Sequence, residues 1–214
     1  MGDECQGFRM VTPYHIILAS NSPRRRELLA GLGLPFEVRV LDGIDESYPH
    51  DLPVSEVALY IAGKKAAAYC RTIADDELII TADTVVIVGG EILGKPVDEA
   101  DAVRMLRELS GRTHQVTTGV CLLTSELESR FAVTTDVTFK ALTDDEIHYY
   151  VTRYKPFDKA GAYGIQEWIG YIGVTGLHGS YYNVMGLPVQ RIYSELQKLN
   201  LLSNDKNREN PTNT

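Results

Sequence analysis

The sequence is short of cysteine and of positive charge, and it has no long apolar run. Three cysteines, Cys5, Cys70 and Cys121, are scattered over 214 residues, and no CxxC pair occurs. That excludes a disulfide framework and a cysteine-based zinc site, and a reducing compartment is expected. Lysine and arginine together number 21 against 29 aspartates and glutamates, a net charge of −8. A broad nucleic-acid face brings a basic balance, so no nucleic-acid partner is expected. Any anion site must be a local basic cluster, which suits a small anion better than a polymer. No apolar run approaches membrane-spanning length, so no membrane partner is expected. The opening MGDECQGFRM lacks the basic flank and apolar stretch of a signal peptide, and Gln6 stands where a myristoylation pattern wants Ser or Thr. The expectation is a cytoplasmic protein.

Familiar catalytic signatures are also missing. No HExxH, GxSxG or paired histidine pattern occurs, and His15, His50, His114, His148 and His178 are dispersed, so each is read as structural or solvated. GGEILGKP fits the first seven positions of a P-loop, but Pro96 replaces the metal-binding hydroxyl, and a hairpin fits the segment better. The P-loop is rejected; Lys95 remains as a cation at a strand end. GVTGLHGS over 173–180 fails the dinucleotide spacing and reads as a turn-rich β-loop.

What is present is the pattern of a mixed α/β globule, 44% hydrophobic and 23% charged. His15–Ala19 reads as a buried strand, Ser22 to Leu32 as a helix, Phe36–Val40 as a second strand and Pro53 to Tyr69 as a second helix. Leu78–Val88 is a long β-branched run, read as a central strand, and Gly89-Gly90 turns it into a short partner, EIL. Asp98 caps a helix to Leu109, His114–Thr124 and Arg130–Leu142 form an antiparallel pair, and Thr143 to Glu146 is a capping box opening a helix to Tyr154. A last helix covers Pro188 to Leu199. Residues 14–200 are read as a single α/β unit with two lobes around a cleft. Residues 1–13 are read as an N-terminal extension and 201–214 as a disordered polar tail.

Four features carry chemistry. In LASNSPRRRELL, Ser22-Pro23 is a strong helix opening, yet Arg24, Arg25 and Arg26 fill a first turn where cations are disfavoured. An external anion would resolve that conflict. Asp83 interrupts an apolar strand with a charge that needs a partner or a metal. Lys65 falls four residues after Ile61, on the core-facing side of its helix, where a snorkelling lysine is the competing reading. The acidic loop 42–51 holds Asp42, Asp45, Glu46 and Asp51, and one of these with Asp83 could bind Mg²⁺.

These residues, in order, resemble the Maf family of nucleoside-triphosphate pyrophosphatases, from about Ile17 to about Leu196. LASNSPRRRELL resembles the family opening LASxSPRRxELL, TADTVV its GADT strand and LGKP its lysine loop. LRELSGRTHQVTTGV resembles its central helix and strand, and KAGAYGIQ and GSYYNVMGLP its closing motifs. The resemblance implies an elongated α/β fold with a mixed, strongly curved sheet and a deep cleft, related to inosine-triphosphate pyrophosphatases. AGAYGIQ looks like the branch acting on dTTP and UTP, which implies hydrolysis to the nucleoside monophosphate and pyrophosphate, with modified pyrimidine triphosphates as further substrates. Asp83 matches the general base and metal ligand. Arg24, Thr84 and Gln166 match selectivity positions, and Ser20, Arg25, Lys65 and Lys95 match the phosphate lining, beside the helix tip at Ser22. Asp45 is preferred over Glu46 as the second carboxylate for Mg²⁺ or Mn²⁺. A homodimer is common in the family. Glu167 stands where the family usually has Gly, and Thr81 where it has Gly before Ala-Asp-Thr. The rival from another class is a non-catalytic nucleotide-binding regulator, for instance of cell division.

Overall fold

The computed structural model describes residues 10–204; the expectations for residues 1–9 and 205–214 lie outside them. The chain is organised around one strand, β4 (Glu77–Val88), whose run of Ile, Val and Thr favours extended backbone and needs burial on both faces. Before it come β2 (His15–Leu18), α1 (Pro23–Ala30), β3 (Phe36–Val38) and α2 (Val57–Tyr69). After it come β5 (Glu91–Leu93), α3 (Glu99–Leu109), β6 (Thr113–Leu123), β7 (Glu128–Phe139) and α4 (Asp144–Tyr154). The chain closes with α5 (Trp168–Gly173), β8 (Val174–His178), α6 (Tyr181–Met185) and α7 (Val189–Lys198).

The sheet runs β3-β2-β4-β6-β7-β8, with β5 pairing the far end of β4. β2 is parallel to β3 and β4; all other pairs are antiparallel, so the sheet is mixed as expected. Alternation along β4 sorts its side chains. On one face the Thr81 hydroxyl donates to Ala62 O at 2.7 Å, and Val85 and Ile87 pack on Val57, Ala58 and Ile61 of α2. On the other face Ile80 and Ala82 join a core with α1 and α7, while Val86 and Val88 join a separate core with α3 and α4. Thr84 stands between the two cores. The two lobes are therefore two apolar clusters on one strand, parted by a polar residue.

Among the described residues, the same point of β4 has no edge partner. β2 pairs as far as Leu18 with Ile80, and β5 takes over only at Val86 with Leu93. Between them, the edge of β4 opposite β6 is open from Ala82 to Val85.

The caps match the sequence. Ser22 accepts from Arg25 N, Asp98 from Asp101 N, and Thr143 and Glu146 form the capping box. Some expectations are corrected. Helix two opens with a 3₁₀ turn at Val54–Glu56, and β7 starts earlier and ends sooner than Arg130–Leu142. Residues 201–204, read as part of the polar tail, are ordered against the body. Leu201 and Leu202 are buried in the α1–α7 core, and β9 (Ser203–Asn204) pairs antiparallel with β1 (Met10–Val11), which joins the extension to the body. Two leucines offer enough apolar area to hold that segment, a signal that the polar residues around them hid. The tract over 173–180 holds the edge strand β8, with α5 before it and α6 after it.

α2 lies unusually close to β6. A Cβ on Gly119, the register partner of Asp83, would fall 2.4 Å from the backbone of Leu59. Gly119→Ala should therefore lower stability by about 1–3 kcal/mol or more, read as a drop in the urea midpoint; an unchanged midpoint would show that α2 can retreat.

Candidate active site

The open edge of β4 is the floor of a cavity of about 400 Å³. A second chamber of about 430 Å³ adjoins it, and the two share Ser22, Arg24, Arg25, Glu46, Lys65, Lys95 and Asp158. The first chamber extends to Gln166, Tyr163 and Met185; the second reaches Ser20, Asn21 and the acidic loop. The cleft thus lies at the carboxyl end of β2, where open α/β sheets place ligands.

α1 aims its first turn into this cleft, and its three arginines separate. Arg25 spans the gap: its Nε donates to Gly186 O at 2.8 Å, one amino group to Thr84 Oγ1 at 3.1 Å and the other to Ser20 Oγ at 3.4 Å. Burial pulls its guanidinium below the usual value, and the Asp83 carboxylate opposes that pull. Arg24 pairs with Asp158 at 2.8 Å. Arg26 is exposed, and its guanidinium bonds Asn21 at 3.3 Å.

Lys65 is no snorkelling residue. Its ammonium sits 2.8 Å from Asp83 Oδ1 and 3.0 Å from Glu46 Oε1, with the side chain only 14% exposed. Its neighbour Lys64 turns outward to Asp45 at 2.9 Å and to Ser47 O. Asp45 is thereby spent on Lys64 and Ser47, whose hydrogen bonds hold its carboxyl well below the usual range. The acidic-loop residue that faces Asp83 across one cation is Glu46, not Asp45. Among the described residues no group of three or more His, Cys, Asp or Glu converges as a metal cage.

Lys95 lines both chambers, exposed and with no ion pair among the described residues. Gln166 lines the first chamber, and its side-chain oxygen is buried without a hydrogen-bond partner among the described residues. Thr84 accepts from Arg25 and shares a 2.9 Å bond with Thr118, whose hydroxyl reaches Asn183 O. Asn183 then donates to Val116 O and Thr135 Oγ1, both at 3.0 Å. This polar seam keeps the two cores apart under the cleft. The cleft therefore brings together Ser20, Ser22, Arg24, Arg25, Lys65, Asp83, Thr84, Lys95 and Gln166, and leaves Asp45 outside.

Sequence reasoning missed Asp158, Lys159 and Tyr163. Asp158 and Lys159 fall in a turn whose charges look solvated until their partners are known. Burial pushes the Asp158 carboxyl up, but hydrogen bonds from Lys159 and Arg24 outweigh it and hold the group at about 2. Tyr163 donates to or accepts from His114 at 2.7 Å behind the cavity wall, and both rings pack edge-on with Phe139.

The chain is also similar to known proteins. Residues 15–199 match a family model described as Maf-like protein. A protein of Phocaeicola vulgatus named dTTP/UTP pyrophosphatase is 62% identical over 186 residues, 87% of this chain and 96% of that protein. One of the same name from Bacteroides thetaiotaomicron is 57% identical over the same shares. Among solved structures, the Staphylococcus aureus Ham1 protein aligns with a TM-score of 0.50 at 17% identity, over 86% of this chain and 99% of that one, a likeness of fold alone.

Burial also sets a pH dependence. It pulls the His114 imidazole down to about 4 from 6.5. In that interval the unfolded chain binds the proton that the folded chain refuses. The stability tied to His114 is complete above pH 6.5 and is lost as pH falls toward 4, at up to about 1.4 kcal/mol per unit. Urea unfolding across this range should show that slope, and His114→Gln should flatten it; equal slopes would place the titration elsewhere.

Proposed function

The chain belongs to the Maf-like protein family, and from that premise we propose that it is a nucleoside triphosphate pyrophosphatase that hydrolyses dTTP and UTP. The reaction is NTP + H₂O → NMP + pyrophosphate, with water attacking the α-phosphorus and pyrophosphate leaving. The observation that carries this reading is one cleft lined by five cations (Arg24, Arg25, Lys65, Lys95 and Lys159) together with the Asp83 carboxylate at the open edge of a strand. A polyanion and a proton acceptor belong in such a place. High identity to relatives named for this activity supports it.

Each group then has a task. At the tip of α1, the Arg25 amide is taken by Ser22 Oγ and the Arg26 amide by Ser22 O, which leaves the Arg24 amide for a phosphate oxygen. Arg25 is fixed by three bonds, so it offers its charge without reorganising. Lys65 and Lys95 meet the charge that moves onto the leaving pyrophosphate. Asp83 orients the attacking water and accepts its proton. Its other bond, to Lys65, holds the carboxylate in the aim this requires.

The residues fit a divalent cation. Asp83 and Glu46 already share one positive group, the Lys65 ammonium, and hard carboxylate oxygens in pairs suit Mg²⁺ or Mn²⁺ that keeps water and phosphate as its other ligands. We assign the pair Asp83 and Glu46 to that ion in preference to Asp45. When bound, such an ion lowers the pKa of water and neutralises phosphate charge.

Gln166 reads the base. A buried amide with an unanswered oxygen calls for a donor, and uracil and thymine present an N–H beside a carbonyl. Modified pyrimidines with that same edge would enter as well. The free thiols of Cys70 and Cys121 support a reducing, cytoplasmic setting, and the family habit supports a homodimer.

With Mg²⁺ and a nucleotide panel, released pyrophosphate should be greatest from dTTP and UTP; none from any nucleotide would favour the regulator. Asp83→Asn should lose at least about 100-fold in rate with the fold retained, and near-normal turnover would remove Asp83 as base. Gln166→Leu should erode the preference for UTP over CTP by roughly tenfold, measured as kcat/KM; an unchanged ratio would place base reading in another residue.

A further inference from the structure

Glu167 is the residue that departs from the family pattern beside the base-reading glutamine, and it is not idle. It accepts a hydrogen bond from the Tyr150 hydroxyl on α4, and that hydroxyl in turn accepts from Gly164 N at 3.0 Å. Burial, and then Glu167 itself, push the Tyr150 hydroxyl well above its usual value, so it stays a donor. The other carboxylate oxygen of Glu167 lies 3.2 Å from the Lys159 ammonium. Lys159 is 8% exposed, and a buried ammonium needs partners on all sides. Its second partner is Asp158 at 2.8 Å, and the other oxygen of Asp158 holds Arg24 at 2.8 Å.

The chain of contacts crosses the cleft. Tyr150 belongs to the α3–α4 core, whereas Arg24 rides on α1, whose leucines belong to the opposite core. Arg24 has five N–H donors and uses one on Asp158, so most of its fork remains free for phosphate. An arginine in a first turn is repelled by the helix end and would swing to solvent unless something held it. Asp158 is that holder. Its own placement depends on Lys159, because a lysine with one carboxylate partner instead of two would draw Asp158 to itself. Gly164 leaves room for this: a Cβ there would lie 3.0 Å from the Glu167 carboxyl carbon.

We propose that Glu167 is a positioning residue of this chain's substrate site, holding Arg24 over the cleft through Lys159 and Asp158 so that its free donors meet the triphosphate. The proposal rests on the pyrophosphatase reading above. Arg24 then comes preorganised, and substrate binding does not have to order a long flexible side chain. Loss of the Glu167 charge should appear chiefly in KM, because the grip on phosphate exists before the chemical step.

The experiment is a double-mutant cycle with dTTP and Mg²⁺, reading kcat and KM by pyrophosphate release. Wild-type turnover comes first: without it the function itself fails, whatever Glu167 does. Given turnover, Glu167→Gln should raise KM roughly tenfold and leave kcat within about twofold. In the Arg24→Ala background the same change should add less than about twofold, because the residue through which it acts is gone. Tyr150→Phe, which keeps every charge, should raise KM in the same direction and also lose its effect without Arg24. Should Glu167→Gln fail to give a normal melting curve, Tyr150→Phe alone decides. An unchanged KM, a fall in kcat alone (the mark of a smaller folded fraction), or effects that multiply independently of Arg24 would each overturn the proposal.

Discussion

The structure depends on an interruption in strand pairing. β4 is paired with β6 from Ile79 to Ile87 on one side, but on the other β2 stops at Ile80 and β5 begins at Val86. A strand edge left open inside a sheet exposes backbone amides and carbonyls that must find partners. Backbone groups alternate in direction along a strand, and those of Ile80 face β2. The groups of Ala82 and Thr84 therefore face the opening. Asp83 and Thr84, on opposite faces of the strand, can both reach one cavity because the cavity wraps the edge between them. A polar notch in an apolar strand, costly in a closed sheet, becomes the floor of a solvated cleft.

Charge is arranged to suit an acidic protein. Its excess of carboxylates would repel a polyphosphate at long range. At short range the cleft answers with cations whose geometry is set before any ligand arrives. Arg25 is held by three neutral acceptors, while Arg24 and Lys65 are held by carboxylates. The first arrangement leaves the full charge available. The second trades part of it for a fixed direction.

Much of this was legible in the sequence, and the limits are physical. The core-facing Lys65 followed from helical spacing after Ile61, and Asp83 from its intrusion into an apolar run. The special character of α1 followed from three arginines behind a Ser-Pro cap. Local rules of capping and periodicity suffice for such residues because their elements fix where they point. The choice between Asp45 and Glu46 was not legible. Both sit in one loop, and each is claimed by one of two adjacent lysines on α2, so a one-residue difference in direction reverses the assignment. Asp158 and Lys159 were hidden for a related reason: their partners lie 134 residues back on α1 and eight residues ahead at Glu167. Leu201 and Leu202 were masked by polar neighbours and rescued by α7 packing.

The two chambers draw on different parts of the chain. The one that reaches Ser20 and the acidic loop is lined by residues 19–95 and Asp158 alone, while the one that reaches Gln166 adds residues from 116 to 186. Inheritance can therefore revise them separately. The carboxy-terminal stretch sets the company a nucleobase keeps, and a change there leaves the phosphate grip alone only where it spares the line from Glu167 through Lys159 and Asp158 to Arg24. The two stretches are tied by the pairing of β4 with β6 and, at the cleft, by the Arg25 bond to Gly186, the Arg24 bond to Asp158 and the Thr84 bond to Thr118. A lineage could alter what it recognises while its hydrolytic chemistry stays fixed, and the contacts that cross between the stretches are where such drift would meet resistance.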